Sequence, residues 1–228
     1  MTGFLYEVEK NCPVCEEKVM VTKVRSRLTM VKQDTDFCTY YQGVNPYYYT
    51  VWVCPHCGFA ASEADFGGLV HDKVKTFLQG KKVNINFSGI RTREQAYNAY
   101  RLAIFYGDMA GIQASKLGGL YLRLGWLYRE GEQLEEEKAA LAKAAEYYER
   151  AMTYERMPIG GMSEVALMYL LGELFRRTGK LEEALLFYNR VVANPQAKME
   201  KRILELARDA WQETRELKKK REEAKSQE

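Results

Sequence analysis

Four of the five cysteines in this 228-residue chain fall in two Cys-Pro-x-Cys pairs, Cys12-Pro13-Val14-Cys15 and Cys54-Pro55-His56-Cys57. Thiolates at this spacing are what a zinc knuckle uses: a tight turn aims two sulfurs at one point and lets backbone N–H groups approach them. Gly58 follows the second pair and suits that turn, because glycine takes up positive φ without steric cost. Glu16 stands at the matching place after the first pair, a less ideal residue for the same backbone. Two knuckles complete a tetrahedron and leave no position open for substrate. Cys12, Cys15, Cys54 and Cys57 are therefore expected to hold Zn2+ as a structural ion. The stretch between the pairs is longer than the usual ribbon spacing.

A redox reading competes, since Cys-x-x-Cys pairs also carry out thiol–disulfide exchange through a depressed thiol pKa. Redox pairs open a helix after a strand in a βαβ unit. Neither pair here has that setting, and a second pair would have no role. His56 lies between two ligands and would coordinate only by displacing one. His71 is able to replace a cysteine, but reads more simply as a surface residue at a helix start. Cys38 reads as a small buried apolar residue, with a spare ligand or a reactive thiol as the alternative. No phosphate loop, HExxH motif or Ser-His-Asp triad is evident, so no catalytic residue is assigned.

The pairs need elements to hold them. From Lys18 to Lys32 the residues alternate: Met20, Val24, Leu28 and Met30 share one parity, and Lys23, Arg25 and Arg27 the other, which predicts a half-buried strand with a basic outer face. Tyr47 to Cys54 reads as a second strand, and Gly43-Val44-Asn45-Pro46 supplies a turn. The two are expected to pair as an antiparallel ribbon. Val70, Val74, Phe77 and Leu78 fall at helical spacing before Gly80. Glycines at both ends of Gly80–Gly89 mark a domain boundary near residue 90, with Thr92 and Gln95 forming a capping box for the helix that follows.

Beyond that boundary the pattern is helical. Gly172, Phe175, Ala184, Tyr188 and Val191, followed by Pro195, have the spacing of small and large residues that lets the two helices of a tetratricopeptide repeat pack. Gly125, Tyr128, Ala144, Tyr148 and Ala151 repeat the theme with about seven extra residues, roughly two helical turns. Ala96, Tyr100 and Ala103 suggest part of a third repeat. Ile203, Leu206, Ala210, Trp211 and Leu217 share one side of a final capping helix, which leads into the charged tail KKKREEAKSQE. Stacked repeats leave a concave surface that commonly binds peptides or partner proteins.

Between the two pairs, Asp34-Thr35-Asp36-Phe37-Cys38-Thr39-Tyr40-Tyr41 leads to Tyr47, Tyr48, Tyr49 and Trp52. Beside Lys23, Arg25 and Arg27 these rings suggest a stacking platform for single-stranded nucleic acid. The simpler reading is that a small zinc module fills its limited core with tyrosines. Asp34 and Asp36 are more readily turn residues than a second metal site.

An apolar content of 46% fits a globular chain of one or two domains. No basic segment followed by an apolar run opens the sequence, and no stretch approaches the roughly 20 apolar residues of a membrane span, so a cytoplasmic location is expected. The formal charge of +3 falls by two units when four thiolates hold one dication, which gives no reason to expect nucleic acid.

CPVC, the segment DTDFCTYYQGVNPYYYTVWVCPHCGFAA and the tetratricopeptide-like half together resemble the uncharacterised bacterial family catalogued as domain of unknown function 2225. The resemblance covers most of the chain. It implies a bacterial cytoplasmic protein and carries over no activity, but it directs attention to Cys38, Asp34 and Asp36, which lie in the family-like segment. The fold class expected is α+β: a zinc-stabilised antiparallel β module over residues 1–90, then an all-α repeat array over 91–228. The function expected is that of a non-enzymatic adaptor that binds a protein or peptide, with single-stranded nucleic-acid binding and thiol redox chemistry as alternatives.

Overall fold

The computed structural model describes residues 2–225. They form an α+β chain with three antiparallel two-stranded hairpins and, among the described residues, seven α-helices. Two compact units interleave along the sequence: the first takes in the residues up to Gln33, Thr39–Gln113 and Arg123–Glu137, and the second takes in Asp34–Cys38, Ala114–Leu122 and the chain from Lys138 onward.

In the first unit β1 (Leu5–Asn11) pairs with β2 (Lys18–Val24), Asn11 opposite Lys18 and Leu5 opposite Val24. β3 (Met30–Gln33) pairs with β4 (Thr39–Tyr41). β5 (Val51–Val53) pairs with β6 (Ala60–Ser62), Val53 opposite Ala60. The expected ribbon between the Lys18 and Tyr47 segments does not form, because β2 and β5 each find a partner across a Cys-x-x-Cys turn and β3 pairs with β4. Tyr47–Tyr49 is not strand: Asn45 caps a 3-10 turn over Pro46–Tyr49, its side chain accepting from Tyr47 N. The expected parity is also reversed. Val19 and Val21 are buried and Met20 is exposed, since the run from Lys18 to Lys32 is two short strands and the β-branched residues of the first take the inner face.

Helix α1 (Asp72–Leu78) buries Val74 and Leu78 and starts at His71, whose Nδ1 accepts from Lys73 N at 3.2 Å. Helix α2 (Arg93–Ala110) starts with the predicted capping box, Gln95 N to Thr92 Oγ1 at 3.2 Å and Thr92 N to Gln95 Oε1 at 2.8 Å. It packs against β5, β6 and α1. Its buried Ala96, Ala99 and Ala103 keep side-chain bulk small along that helix, and the hydroxyl of Tyr100 meets Thr50 at 2.5 Å. Arg91, just before this helix, is 5% exposed and makes its hydrogen bonds to backbone carbonyls, not to a carboxylate. Its guanidinium instead donates to the carbonyls of Phe87 (2.7 Å), Tyr48 (2.9 Å) and Val51 (2.7 Å). Desolvation lowers its pKa to about 10.

Helices α3 (Ala114–Glu130) and α4 (Leu134–Tyr154) contribute residues to both units. α4 has 21 residues and α6 (Leu181–Ala193) has 13. In the second unit α5 (Glu164–Arg177) is capped by Ser163, which accepts from Ala166 N at 3.0 Å, and ends with Arg176 and Arg177 against the negative end of the helix dipole. Leu167, Leu170, Leu171 and Leu174 are fully buried, each worth about 1.5–3 kcal/mol relative to exposure. α5 packs on α6, and both pack on α7 (Lys201–Lys225). Gly172 permits the closest approach: a methyl group there would overlap the ring of Tyr188. Tyr148 sits on Gly118 in a similar way, its ring carbons 3.2 Å from where a Cβ would stand. The charged tail continues α7 as helix, with Lys218 paired to Glu182 at 3.2 Å; its last residues, 226–228, lie outside the described residues.

Candidate metal centre

Each Cys-x-x-Cys is the turn of a hairpin, CPVC between β1 and β2 and CPHC between β5 and β6. The two turns are built alike. Cys12 N donates to Glu17 O (2.9 Å) and Glu16 N to Cys12 O (3.0 Å); Cys54 N donates to Phe59 O (2.8 Å) and Gly58 N to Cys54 O (3.0 Å). The residue after each second cysteine is left-handed, Gly58 at φ 79° and Glu16 at φ 62°. Glu16 thus adopts the knuckle backbone despite its Cβ, at a conformational cost that glycine avoids.

The four sulfurs meet. Cys12 Sγ lies 3.6 Å from Cys57 Sγ, and Cys15 Sγ lies 3.6 Å from Cys54 Sγ, so the first thiol of each knuckle faces the second of the other. All four lie within 4.8 Å of one another. A tetrahedral ion with metal–sulfur bonds of about 2.3 Å needs sulfurs about 3.8 Å apart, and a disulfide needs about 2.05 Å; the spacing fits the ion. Cys12, Cys54 and Cys57 are buried and Cys15 is half-buried.

Electrostatics point the same way. Through its interaction with Cys54 the Cys12 thiol is pushed up to about 12. Hydrogen bonds to Cys12 and Cys54 raise Cys57, while Cys54, which accepts from Cys12 and Cys57, is lowered. Cys12 and Cys57 are thus biased toward the thiol and Cys54 toward the thiolate. A dication removes that conflict by pairing with every thiolate at once.

Around the cluster, His56 is exposed and its Nε2 lies 3.3 Å from Lys18 O, and His71 serves as the cap of α1. An open cleft of about 680 Å³ borders the knuckles, with Lys75, Lys81, Lys82 and Glu17 on its walls. The linker after α1 runs along the second knuckle: Val83 N donates to His56 O at 2.8 Å, and Val83 flanks Gly58.

Cys38, Asp34 and Asp36 are not members of the thiol cluster and belong to the second unit. Cys38 is buried, and its carbonyl accepts from Asp34 N at 2.8 Å. Asp36 and Glu173 have side chains with no exposed surface, while Arg176 and Arg177 retain 23% each. Arg176 Nη2 donates to Glu173 Oε2 at 2.7 Å, Tyr188 donates to Glu173 Oε1 at 2.6 Å, Thr35 donates to Glu173 Oε2, and Arg177 Nε lies 3.5 Å from Asp36 Oδ2. Phe37, left-handed at φ 67°, puts its ring 5.5 Å from that of Tyr169. Burial raises the pKa of Tyr169 and Tyr188, with Glu173 adding to it. Glu173, Arg176 and Arg177 escaped the motif reading. The signal was a single acidic residue inside the apolar run LLGELF, followed by arginines one helical turn later.

The family model described as an uncharacterized protein conserved in bacteria (DUF2225) matches residues 5–214, so the chain belongs to that family. No curated protein and no solved structure matches it. No helix among the described residues is long and apolar enough to cross a membrane.

Proposed function

We propose that this member of a bacterial family is a non-enzymatic adaptor, in which a zinc ion held by Cys12, Cys15, Cys54 and Cys57 fixes the β hairpins and the helical part binds a protein or peptide. The observation that carries the reading is the matched pair of knuckles, whose four sulfurs lie within 4.8 Å of one another, enough donors to fill a four-coordinate ion. Such an ion has no vertex for a water nucleophile and acts as a staple. Reduced thiolates persist in the cytoplasm, and the adaptor is proposed to act there.

The small-against-aromatic contacts of Gly172 with Tyr188 and Gly118 with Tyr148 support tetratricopeptide-like packing. Exposed Leu186 and Val192 on α6 give such an array apolar contact points for a partner. The tyrosines that suggested base stacking have other work: Tyr47 packs on Trp126 at 5.0 Å and the Tyr49 hydroxyl accepts from Arg91 N at 3.2 Å.

Two measurements test the proposal together. Elemental analysis of the purified protein should find about one zinc per chain. Partners captured in cells by the intact protein should bind again when purified, and lose affinity on Leu186→Asp with Val192→Asp. Absence of metal together with a reversible Cys12–Cys57 disulfide would establish the redox alternative instead.

A further inference from the structure

We propose that the end of α5 is a seat for peptides that carry a carboxylate beside an aromatic side chain, and that the chain's own Asp34–Cys38 is its resident occupant. This rests on the reading of the helical part as a peptide-binding scaffold and names the chemistry it selects.

The resident segment displays the recognition. The carboxylate of Asp36 faces Arg177, the ring of Phe37 lies on Tyr169, and Thr35 bonds Glu173. These are the three parts of a short linear motif: an anion for an arginine, a ring for an aromatic wall, and a hydroxyl that fixes register. Glu173 is not itself available to repel an incoming anion, because Arg176 and Tyr188 already engage it.

Three features mark the occupancy as exchangeable. Phe37 is a bulky residue in the left-handed region, where only a surrounding contact holds it. The ions are fully desolvated on the carboxylate side, so undocking recovers hydration that an apolar contact would not. The seat is also under-used. Arg177 Nε and the Tyr169 hydroxyl are buried without a hydrogen-bond partner, although native structures pair nearly all such groups. The Asp36 carboxylate lies near Arg177 without closing a hydrogen bond to its Nε. An external peptide, not tied at both ends to β3 and β4, is at liberty to place its carboxylate on that donor.

The test uses the full-length, metal-loaded protein and a fluorescent peptide reproducing Gln33–Tyr40 under reducing conditions. Weak binding to the wild type should strengthen by about tenfold in Asp36→Ala/Phe37→Ala, because weakening the resident raises the fraction of open seats. Adding Arg177→Ala should abolish the gain. A double variant that binds no better than the wild type, or a gain that survives loss of Arg177, overturns the proposal. Hydrogen exchange on the wild type covers the case in which the variants do not fold: amides of 35–38 should exchange well ahead of Leu170 and Leu171, and equal protection would make the segment permanent core. Cellular partners that bind equally with and without Arg177→Ala would leave the adaptor reading standing while this one falls.

Discussion

In the first unit four thiols converge from two hairpin turns, three of them buried; in the second, two carboxylates and two arginines converge on the end of one helix. The thiol cluster is all of one sign once ionised, so on the proposed reading its cohesion would come from an ion taken from the medium. The α5 cluster carries as many positive as negative groups and is neutral by itself. A self-neutral cluster depends on geometry; a like-charged one depends on supply. Coupling to metal, on the proposed reading, would be confined to one unit, and the comparison is exposed to experiment at each end.

The largest effect belongs to the thiols. Cys57→Ser should release the ion and unfold the first unit, because structural zinc binding of about 10–16 kcal/mol matches or exceeds the stability of a typical domain. Hydrogen exchange should show loss of protection in β5, β6 and α2 with α5–α7 retained; unchanged protection in β5 and β6 would break the comparison. The same site sets a pH dependence. Metal must displace the protons that Cys12 and Cys57 hold in the metal-free state, so affinity should rise with pH and acid should release the ion. Titration with a chelator at two pH values checks the sign.

A smaller loss is expected in the self-neutral cluster. Glu173→Gln leaves Arg176 without its 2.7 Å carboxylate partner and should cost about 3 kcal/mol, the lower end for stripping one member from a buried pair, since both arginines keep some exposure. Denaturant melts measure it, and zinc content should stay constant. If Glu173→Gln also released metal, the two clusters would not be independent.

The smallest effect isolates a third arrangement, a buried cation whose hydrogen bonds go to backbone carbonyls. Arg91→Met removes the donor shared by Phe87, Tyr48 and Val51, at about 2 kcal/mol. Arg91→Lys should recover only part of this, because a single ammonium cannot span three acceptors as a fork does. Full recovery with lysine would show that charge, and not directional donation, is what that site requires.

How much of this was legible in the sequence follows from the range of each interaction. The thiols were readable because a knuckle is a local motif, and the caps at Thr92 and His71 were readable for the same reason. The pairing of β1 with β2 was not: Leu5–Asn11 alternates too weakly to stand out, and the parity from Lys18 to Lys32 joined two strands that the structure separates at Arg25–Thr29. Tyr47–Tyr49 looked like strand because aromatic residues favour strands, yet Asn45 and Pro46 turn them into a 3-10 cap. Arg91 and Glu173 were the hardest, since nothing beside a buried charge in sequence names its partners across 40 or 138 residues.

The bond from Val83 to the carbonyl of His56 lays the linker along a turn whose shape suits a bound ion. Lys81 and Lys82 lie in that linker, on either side of a peptide bond that proteases of basic specificity favour. On the proposed zinc reading, loss of the ion would loosen the turn that carries the His56 carbonyl, and with it the anchor of this linker.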